Sequence, residues 1–395
     1  MPTLTIPGYR FAGVACGIKK SRRKDLALIV ADAPATAAAL FTTSRVKAAP
    51  VIVGMRQIRG GKLQAIVINS GNANACTGAQ GLRDAEAMCR ETGLRLGIDP
   101  KLVLPSSTGI IGVPLPHEKV CMGIRQAASS LSKNGFAEAA EAIMTTDRFV
   151  KTASARCALD GKQIRVVGMV KGAGMIAPNM ATMLAYVLTD AAVELKCIRS
   201  MLRSAADQSF NSVTVDGDMS TNDTVVLLAN GSAGNAAIRN GSKNAAILGN
   251  AVYDVMKKLS IKLVEDGEGA TKVVEIRVEG ARSFPAARQI AFSVANSQLV
   301  KTAFFGEDPN FGRIMAAIGY AGVAIDSDKV DISFDGVTVV KKGVGATAKE
   351  REAARVLRRS SFQVIIDLRQ GKQAASVWTS DLSHEYVRIN SAYRT

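Results

Sequence analysis

The chain has 395 residues, of which 47% are hydrophobic and 5% aromatic, and a formal net charge of +16. That length can bury large aliphatic cores, as two domains or as one large α/β unit, and no apolar run reaches the ~18–20 residues a membrane span needs. Basic residues at Lys19–Lys24, Lys257–Lys262, Lys341–Lys342 and Arg351–Arg359 are dispersed among acids, with no aromatic-rich basic strip; this favours a solvated basic surface over a nucleic-acid site.

The first ~75 residues read as strands. Lys24–Asp32 and Ala49–Val53 are aliphatic, and Leu63–Asn69 runs into a polar turn. Gly78–Gly97 has helical spacing, with Leu82, Ala85, Met88 and Cys89 on one face. A strand ends at Ser106-Ser107-Thr108-Gly109, followed by helices over Glu118–Ser132 and Gly135–Met144. Ala155–Leu159 and Gln163–Val170 form a hairpin around Asp160-Gly161. Helices follow at Val193–Gln208 and Asn244–Val264, then a strand at Thr271–Glu279. Ala281–Arg288, with its Ser-Phe-Pro, reads as a linker. Beyond it come helices at Gln289–Ala303 and Glu350–Arg359, and strands at Asp331–Phe334 and Val337–Val340 around Asp335-Gly336. The fold class is α+β.

Chemistry concentrates at Lys171–Tyr186, KGAGMIAPNMATMLAY. A glycine-rich loop carrying Pro178 leads into a strand-like run from Thr182 to Asp190. A hydroxyl residue opening a strand can turn its Oγ back onto the preceding carbonyl, here that of Ala181. Breaking that peptide bond leaves Thr182 with nucleophile and amine base on one residue, the arrangement N-terminal threonine catalysis requires. An α-amine titrates near ~7.7–8.0, so a substantial minority is basic at neutral pH. Taken alone, Thr182 is an ordinary strand threonine.

The segment KGAGMIAPNMATML resembles the cleavage-site segment of the ornithine acetyltransferase family, the bifunctional glutamate N-acetyltransferases of arginine biosynthesis. The resemblance runs from Gly8-Tyr9-Arg10 to Thr395 through NSGNANACTG (Asn69–Gly78), SSTGIIG (Ser106–Gly112), MTTD (Met144–Asp147) and VDGDMSTNDT (Val215–Thr224). DGEGATK (Asp266–Lys272), DPNFGR (Asp308–Arg313) and the terminal NSAYRT complete it.

The resemblance implies stacked β-sheets between helical layers with a smaller C-terminal α/β domain at about residues 285–395. It implies self-cleavage at Ala181–Thr182 into an α chain (1–181) and a β chain (182–395), paired as a heterotetramer of two of each. The acetyl group of N2-acetylornithine passes to glutamate through acetyl-Thr182. Thr108 and Gly109 become the oxyanion donors, and Thr145, Lys171, Thr182, Glu268, Asn390 and Thr395 the substrate-binding residues. Lysine suits a substrate carboxylate and glutamate an ornithine amine; without the resemblance both would be solvated charges. No cofactor or metal is implied, and acetyl-CoA is a further acetyl donor in some members. The alternatives are a fold-related N-terminal-nucleophile aminopeptidase or amidase, and a non-enzymatic basic nucleic-acid-binding protein.

Several patterns are set aside. Gly172–Ala177 mimics a dinucleotide fingerprint, but Pro178 and a strand-like run replace the helix that motif opens. Asp216, Asp218 and Asp223 suggest a calcium loop, but the required glycine and final glutamate are missing, so they read as turn braces. His117 and His384 support neither a His–Cys nucleophile pair nor a zinc site. The six cysteines are scattered and read as buried free thiols; with no apolar h-region after Lys19–Lys24, the expected compartment is the cytoplasm.

Overall fold

The computed structural model describes residues 4–177 and 183–392, with residue 347 described by its backbone alone. The chain begins with β1 (Tyr9–Val14) and the long β2 (Leu26–Phe41), then helix α1 (Ala49–Gln57) and β3 (Lys62–Asn72). The expected strand at Ala49–Val53 is thus the start of a helix. Pro50 lies in its first turn, where a missing N–H costs nothing. Its buried Ala49, Pro50, Val51, Val53 and Gly54 erase any helical alternation in the sequence. Helix α2 (Gly78–Leu96) ends on left-handed Gly97, as its spacing indicates. β4 (Val103–Ile110), α3 (His117–Ser129), α4 (Phe136–Ala142) and the hairpin β5 (Lys151–Leu159) and β6 (Lys162–Lys171) follow. At the hairpin turn both Asp160 and Gly161 take positive φ. After β7 (Leu184–Thr189) come α5 (Leu195–Asp207), β8 (Thr224–Ala229) and α6 (Lys243–Glu265).

These eight strands form one sheet, ordered β4-β3-β2-β8-β7-β6-β5, with β1 beside β2. The sheet folds over because β2 changes partners along its length. Leu26–Val30 pairs with β3, Thr36–Phe41 pairs with β8, and the register shifts between Val30 and Ala35, where Asp32, Ala33 and Pro34 are exposed. The inner faces of the two halves meet in one core: Ile29, Ile66, Ile68 and Leu104 pack with Val167, Leu184, Tyr186 and Val226. Outside one half, Val53, Met88 and Ile124 of α1, α2 and α3 cover β1–β4. Outside the other, Ile198 and Leu202 of α5 and Val252 and Leu259 of α6 cover β5–β8. The result is helices, sheet, sheet, helices: stacked sheets between helical layers, as expected.

A second sheet starts at β9 (Val273–Ala281) and packs on α7 (Phe284–Asn296), α8 (Gln298–Phe305) and α9 (Phe311–Gly319). The segment read as a linker, Ala281–Arg288, is the end of β9 and the opening of α7, whose Ser283 accepts from the Ala286 N–H. The helix expected over Gln289–Ala303 is broken at Ser297, which caps α8 through the Val300 N–H. β10 (Asp331–Phe334), β11 (Val337–Lys341), β12 (Val344–Gly345), α10 (Glu350–Leu357), β13 (Ser361–Asp367) and β14 (Gln373–Ser380) complete this unit, in strand order β12-β11-β10-β13-β9-β14. The last element, α11 (His384–Ala392), returns to the first unit: Ser383 Oγ donates to the Gly269 carbonyl oxygen at 2.6 Å.

Candidate active site

Thr108, Gly109, Thr145, Lys171, Glu268 and Asn390, expected from widely separated stretches, line one cavity of about 340 Å³ at an end of the folded sheet. β4 supplies Thr108 and Gly109, and β6 supplies Lys171. The turn after α6 supplies Glu268, and α11 brings in Asn390. Ala181, Thr182 and Thr395 lie outside the described residues. Met183, the next described residue, leads into β7 beside Lys171: Leu184 stands opposite Lys171 on one side and Thr224 on the other.

Gly109 sits where β4 crosses closest to β3. Its φ is +131°, and a Cβ there would lie 2.3 Å from the Gly71 carbonyl carbon. Only glycine fits that approach. The Asn69–Gly78 stretch braces the crossing. Asn69 Oδ1 accepts from Ser107 Oγ at 2.6 Å, and Asn222 donates to the Ala73 and Ser107 carbonyls. The Lys171 ammonium, 3% exposed, donates to Thr108 Oγ1 at 3.1 Å. An ammonium has no acceptor, so this bond occupies an oxygen lone pair and leaves the Thr108 hydroxyl proton free for another acceptor.

A buried ion network holds that lysine. Asp147 accepts from Lys151 Nζ at 2.6 Å, the Gly172 N–H at 2.7 Å and the Thr145 N–H at 2.8 Å. Lys151 also pairs with Asp266, which takes two further bonds from the Arg148 backbone and guanidinium. Burial alone would raise the Asp147 carboxyl, but the Lys171 and Lys151 charges overcome it and bring it down to about 2. Burial lowers the Lys171 ammonium, with Asp147 the main opposing charge. Glu268 is fixed from two sides. Its N–H donates to the Ala173 carbonyl, and Asn390 Nδ2 donates to its Oε2 at 3.0 Å. Gly174 packs so tightly under it that an added Cβ would lie 2.4 Å from Oε2.

A family model described as the ArgJ family matches residues 10–395. The chain belongs to the ArgJ family. It is 49% identical over 394 residues to the "Arginine biosynthesis bifunctional protein ArgJ" of Geobacter sulfurreducens, covering 99% of this chain and all of that one. It is 48% identical over 392 residues to the protein of the same name from Caldanaerobacter subterraneus, covering 98% and 97%. A crystal structure of the arginine biosynthesis bifunctional protein ArgJ from Bacillus halodurans matches with 35% identity and a TM-score of 0.51, covering 53% of this chain and 98% of that chain.

This ArgJ-family chain also places side chains in the cavity that the sequence reading did not assign to it. Asp216, read as a turn brace, does accept from the Met175, Ile176 and Asp218 N–H groups, but it also lines the cavity together with Asp218 and Tyr386. Burial pushes the Asp216 carboxyl up to about 6. Tyr386 donates to Asp216 Oδ2 at 3.3 Å, and no sequence signal joins residues so far apart. The cysteines are free but not all buried, with Cys76 exposed and Cys121 and Cys157 half-buried, and one of them meets a histidine: His117 Nε2 lies 3.4 Å from Cys121 Sγ, one turn away on α3. The ring is half exposed, and burial with nearby Glu91 pushes the Cys121 thiol up, away from the thiolate a nucleophile needs. Among the described residues no cluster of three or more His, Cys, Asp or Glu could hold a metal, and no helix is long and apolar enough to cross a membrane.

Proposed function

We propose that this chain moves an acetyl group from N2-acetylornithine to glutamate through an acetyl ester on Thr182. The observation that carries the reading is the convergence of Thr108, Gly109, Thr145, Lys171, Glu268 and Asn390 on one cavity in a chain matched by the ArgJ family over residues 10–395. In the precursor, Thr182 Oγ attacks the Ala181 carbonyl and the C–N bond breaks, which frees the Thr182 α-amine and leaves Ala181 as an ester on Oγ; water then hydrolyses that ester, releasing the Ala181 carboxylate and restoring the Oγ hydroxyl. The chain then exists as 1–181 and 182–395. The Bacillus halodurans chain, itself matched almost completely while spanning about half of this one, supports that division.

In the transfer, the free amine takes the Oγ proton as Oγ attacks the acetyl carbonyl carbon. The oxyanion lies against the Thr108 hydroxyl and the Gly109 N–H, and preorganised donors of this kind are worth ~10²–10³ in rate each. The ammonium then protonates the departing ornithine nitrogen. Glutamate's amine attacks the acetyl ester by the reverse sequence. Lys171 binds the carboxylate that donor and acceptor share, and Glu268, held by Asn390, binds ornithine's cationic end. Thr145 and Thr395 complete the substrate contacts. Acetyl-CoA could acylate the same Thr182 Oγ, and the scheme requires no metal or resident cofactor. The assembly that follows is two α and two β chains.

The test is intact mass together with acetyl transfer from labelled acetylornithine, with and without glutamate. The purified protein is expected to split into Met1–Ala181 and Thr182–Thr395 and to label glutamate, whereas Thr182→Ala remains one chain and transfers nothing. Free acetate formed at the same rate without an acceptor would instead identify a hydrolase. Cleavage in Thr182→Ala would sink the nucleophile assignment.

A further inference from the structure

The proposed transfer sets a charge problem that the residues assigned so far leave unsolved. Ornithine and glutamate share an amino-acid head but end in opposite charges, and one cavity serves both. Among the described residues that line it, Lys171 is the only base, against Asp216, Asp218 and Glu268. Lys171 is taken by the carboxylate of the shared head. Glu268, held by Asn390, suits ornithine's terminal ammonium and repels glutamate's second carboxylate. A group able to face either charge is required.

Asp216 and Tyr386 stand where that group is needed. Tyr386 lies one turn before Asn390 on α11, and Asn390 Nδ2, which holds Glu268, also donates to the Tyr386 carbonyl oxygen at 3.0 Å. The Glu268 turn abuts the same turn of helix: a Cβ on Gly269 would lie 2.5 Å from the Tyr386 nitrogen. Asp216 is pinned by backbone. Its Oδ1 accepts from the Ile176 and Asp218 N–H groups at 2.9 and 3.2 Å, and its Oδ2 from the Met175 N–H at 2.7 Å and the Tyr386 hydroxyl at 3.3 Å. A phenol both donates and accepts, so what Tyr386 offers the cavity depends on what it gives Asp216.

We propose that Asp216 and Tyr386 form a reversible contact for the end of the substrate side chain, matching ornithine in one protonation state and glutamate in the other. The proposal rests on the transferase reading above. With Asp216 ionised, Tyr386 donates to Oδ2 and turns its oxygen lone pairs to ornithine's ammonium, beside Glu268. With Asp216 protonated, Oδ2–H donates to Tyr386 Oη, and the phenol hydrogen turns to glutamate's carboxylate. Oδ2 keeps a lone pair for the Met175 N–H in both states. One proton enters from solvent with glutamate and returns to solvent when the cavity next holds ornithine. Tyr386 touches the substrate; Asp216 is a positioning residue acting through it.

The surroundings put both states within reach. Burial pushes the Asp216 carboxyl up to about 6, with Asp218 adding to it and the three N–H groups opposing. Glu268 and Asp218 also face Tyr386, and Lys301 of α8 faces Asp216 while bonded to Thr379 and Ser380. An arriving carboxylate favours the acid and an arriving ammonium favours the carboxylate, so each substrate selects its own state.

Calorimetry of the mature protein without an acetyl donor tests this, since neither amino acid can then react. Titrations with glutamate and with ornithine, in buffers of different ionisation enthalpy, give the protons taken up by each. A carboxyl titrating near 6 is about nine-tenths ionised at pH 7, so glutamate should take up about 0.9 proton more than ornithine. Lys171 meets the head of both ligands, so its contribution cancels in that difference. Asp216→Asn should abolish the difference. Tyr386→Phe should at least halve it, weakening glutamate at least ~10-fold and ornithine, which keeps Glu268, less than ~3-fold; this variant decides the matter if Asp216→Asn does not fold. Equal proton numbers in wild type overturn the proposal. So does a difference that persists in folded Asp216→Asn, which would assign the proton to another carboxyl. Equal losses of both amino acids in Tyr386→Phe would leave Tyr386 as a support for α11 alone and also overturn it. Wild type that binds neither amino acid would instead remove the transferase reading itself.

Discussion

Replacing Asp147 by asparagine should destabilise the protein by about 2–3 kcal/mol at neutral pH, with a characteristic dependence on acid. Asp147 is fully buried between Lys151 and Lys171 and accepts from Thr145, Gly172 and Lys151. An amide can satisfy only part of this set, and a buried N–H left facing an NH₂ costs ~1–3 kcal/mol. Breaking a buried ion pair from one side costs ~3–5 kcal/mol, moderated here because Lys151 retains Asp266. Linkage gives a consistent figure. Lowering the carboxyl from 3.8 to about 2 corresponds to about 2 kcal/mol of preference for the charged form in the folded state. Because the folded value is depressed, this contribution is complete above 3.8 and is lost as pH falls toward 2. The assay is thermal denaturation of Asp147→Asn against its parent, both in the single-chain Thr182→Ala background. The midpoint should fall by roughly 2–4 °C at pH 7, with the gap about half as large at pH 3. A gap under 1 °C at pH 7, or one that does not narrow in acid, would refute the argument.

Thr108→Ala removes a hydroxyl whose proton is free for an oxyanion, so fully cleaved variant should lose ~10²–10³ in kcat with KM little changed; steady-state kinetics with near-normal kcat would remove Thr108 from the mechanism. Gly174→Ala places a methyl where Glu268 stands, so KM for acetylornithine should rise at least ~10-fold while self-cleavage proceeds, as read by intact mass and kinetics; an unchanged KM would show that Glu268 does not hold the donor.

Elements with one covered face could be read from sequence, and elements buried all round could not. α2 announced itself through Leu82, Ala85, Met88 and Cys89 and its closing Gly97. β8 did not: all six residues of Thr224–Ala229 are buried, and a short continuous apolar run carries no period. α1 failed because its opening Ala49–Val53 is buried except at Ile52 and so carries no helical period, and Ser297 broke an expected helix through a side-chain cap rather than a change of pattern. In the site, Thr108, Lys171 and Glu268 come from a strand end, another strand end and a helix-terminal turn, with nothing local to join them. The resemblance supplied that grouping. It offered nothing on Asp216 and Tyr386, whose contact depends on α11 docking against the first unit.

The strand order has a consequence for how the mature protein can be made. Under the proposed cleavage at Ala181–Thr182, β7 and β8 would belong to the second product, yet they lie between β2 and β6 of the first. Two seams, β2 with β8 and β6 with β7, therefore join the products through the middle of one sheet. A precursor assembles those seams within a single molecule, at a rate independent of dilution. Once cut and denatured, the same seams need two molecules to collide, and recovery becomes second order in protein. Under that proposal the peptide bond at Ala181 would be a temporary tether, joining the two segments while β7 and β8 are threaded into place and dispensable once they are there.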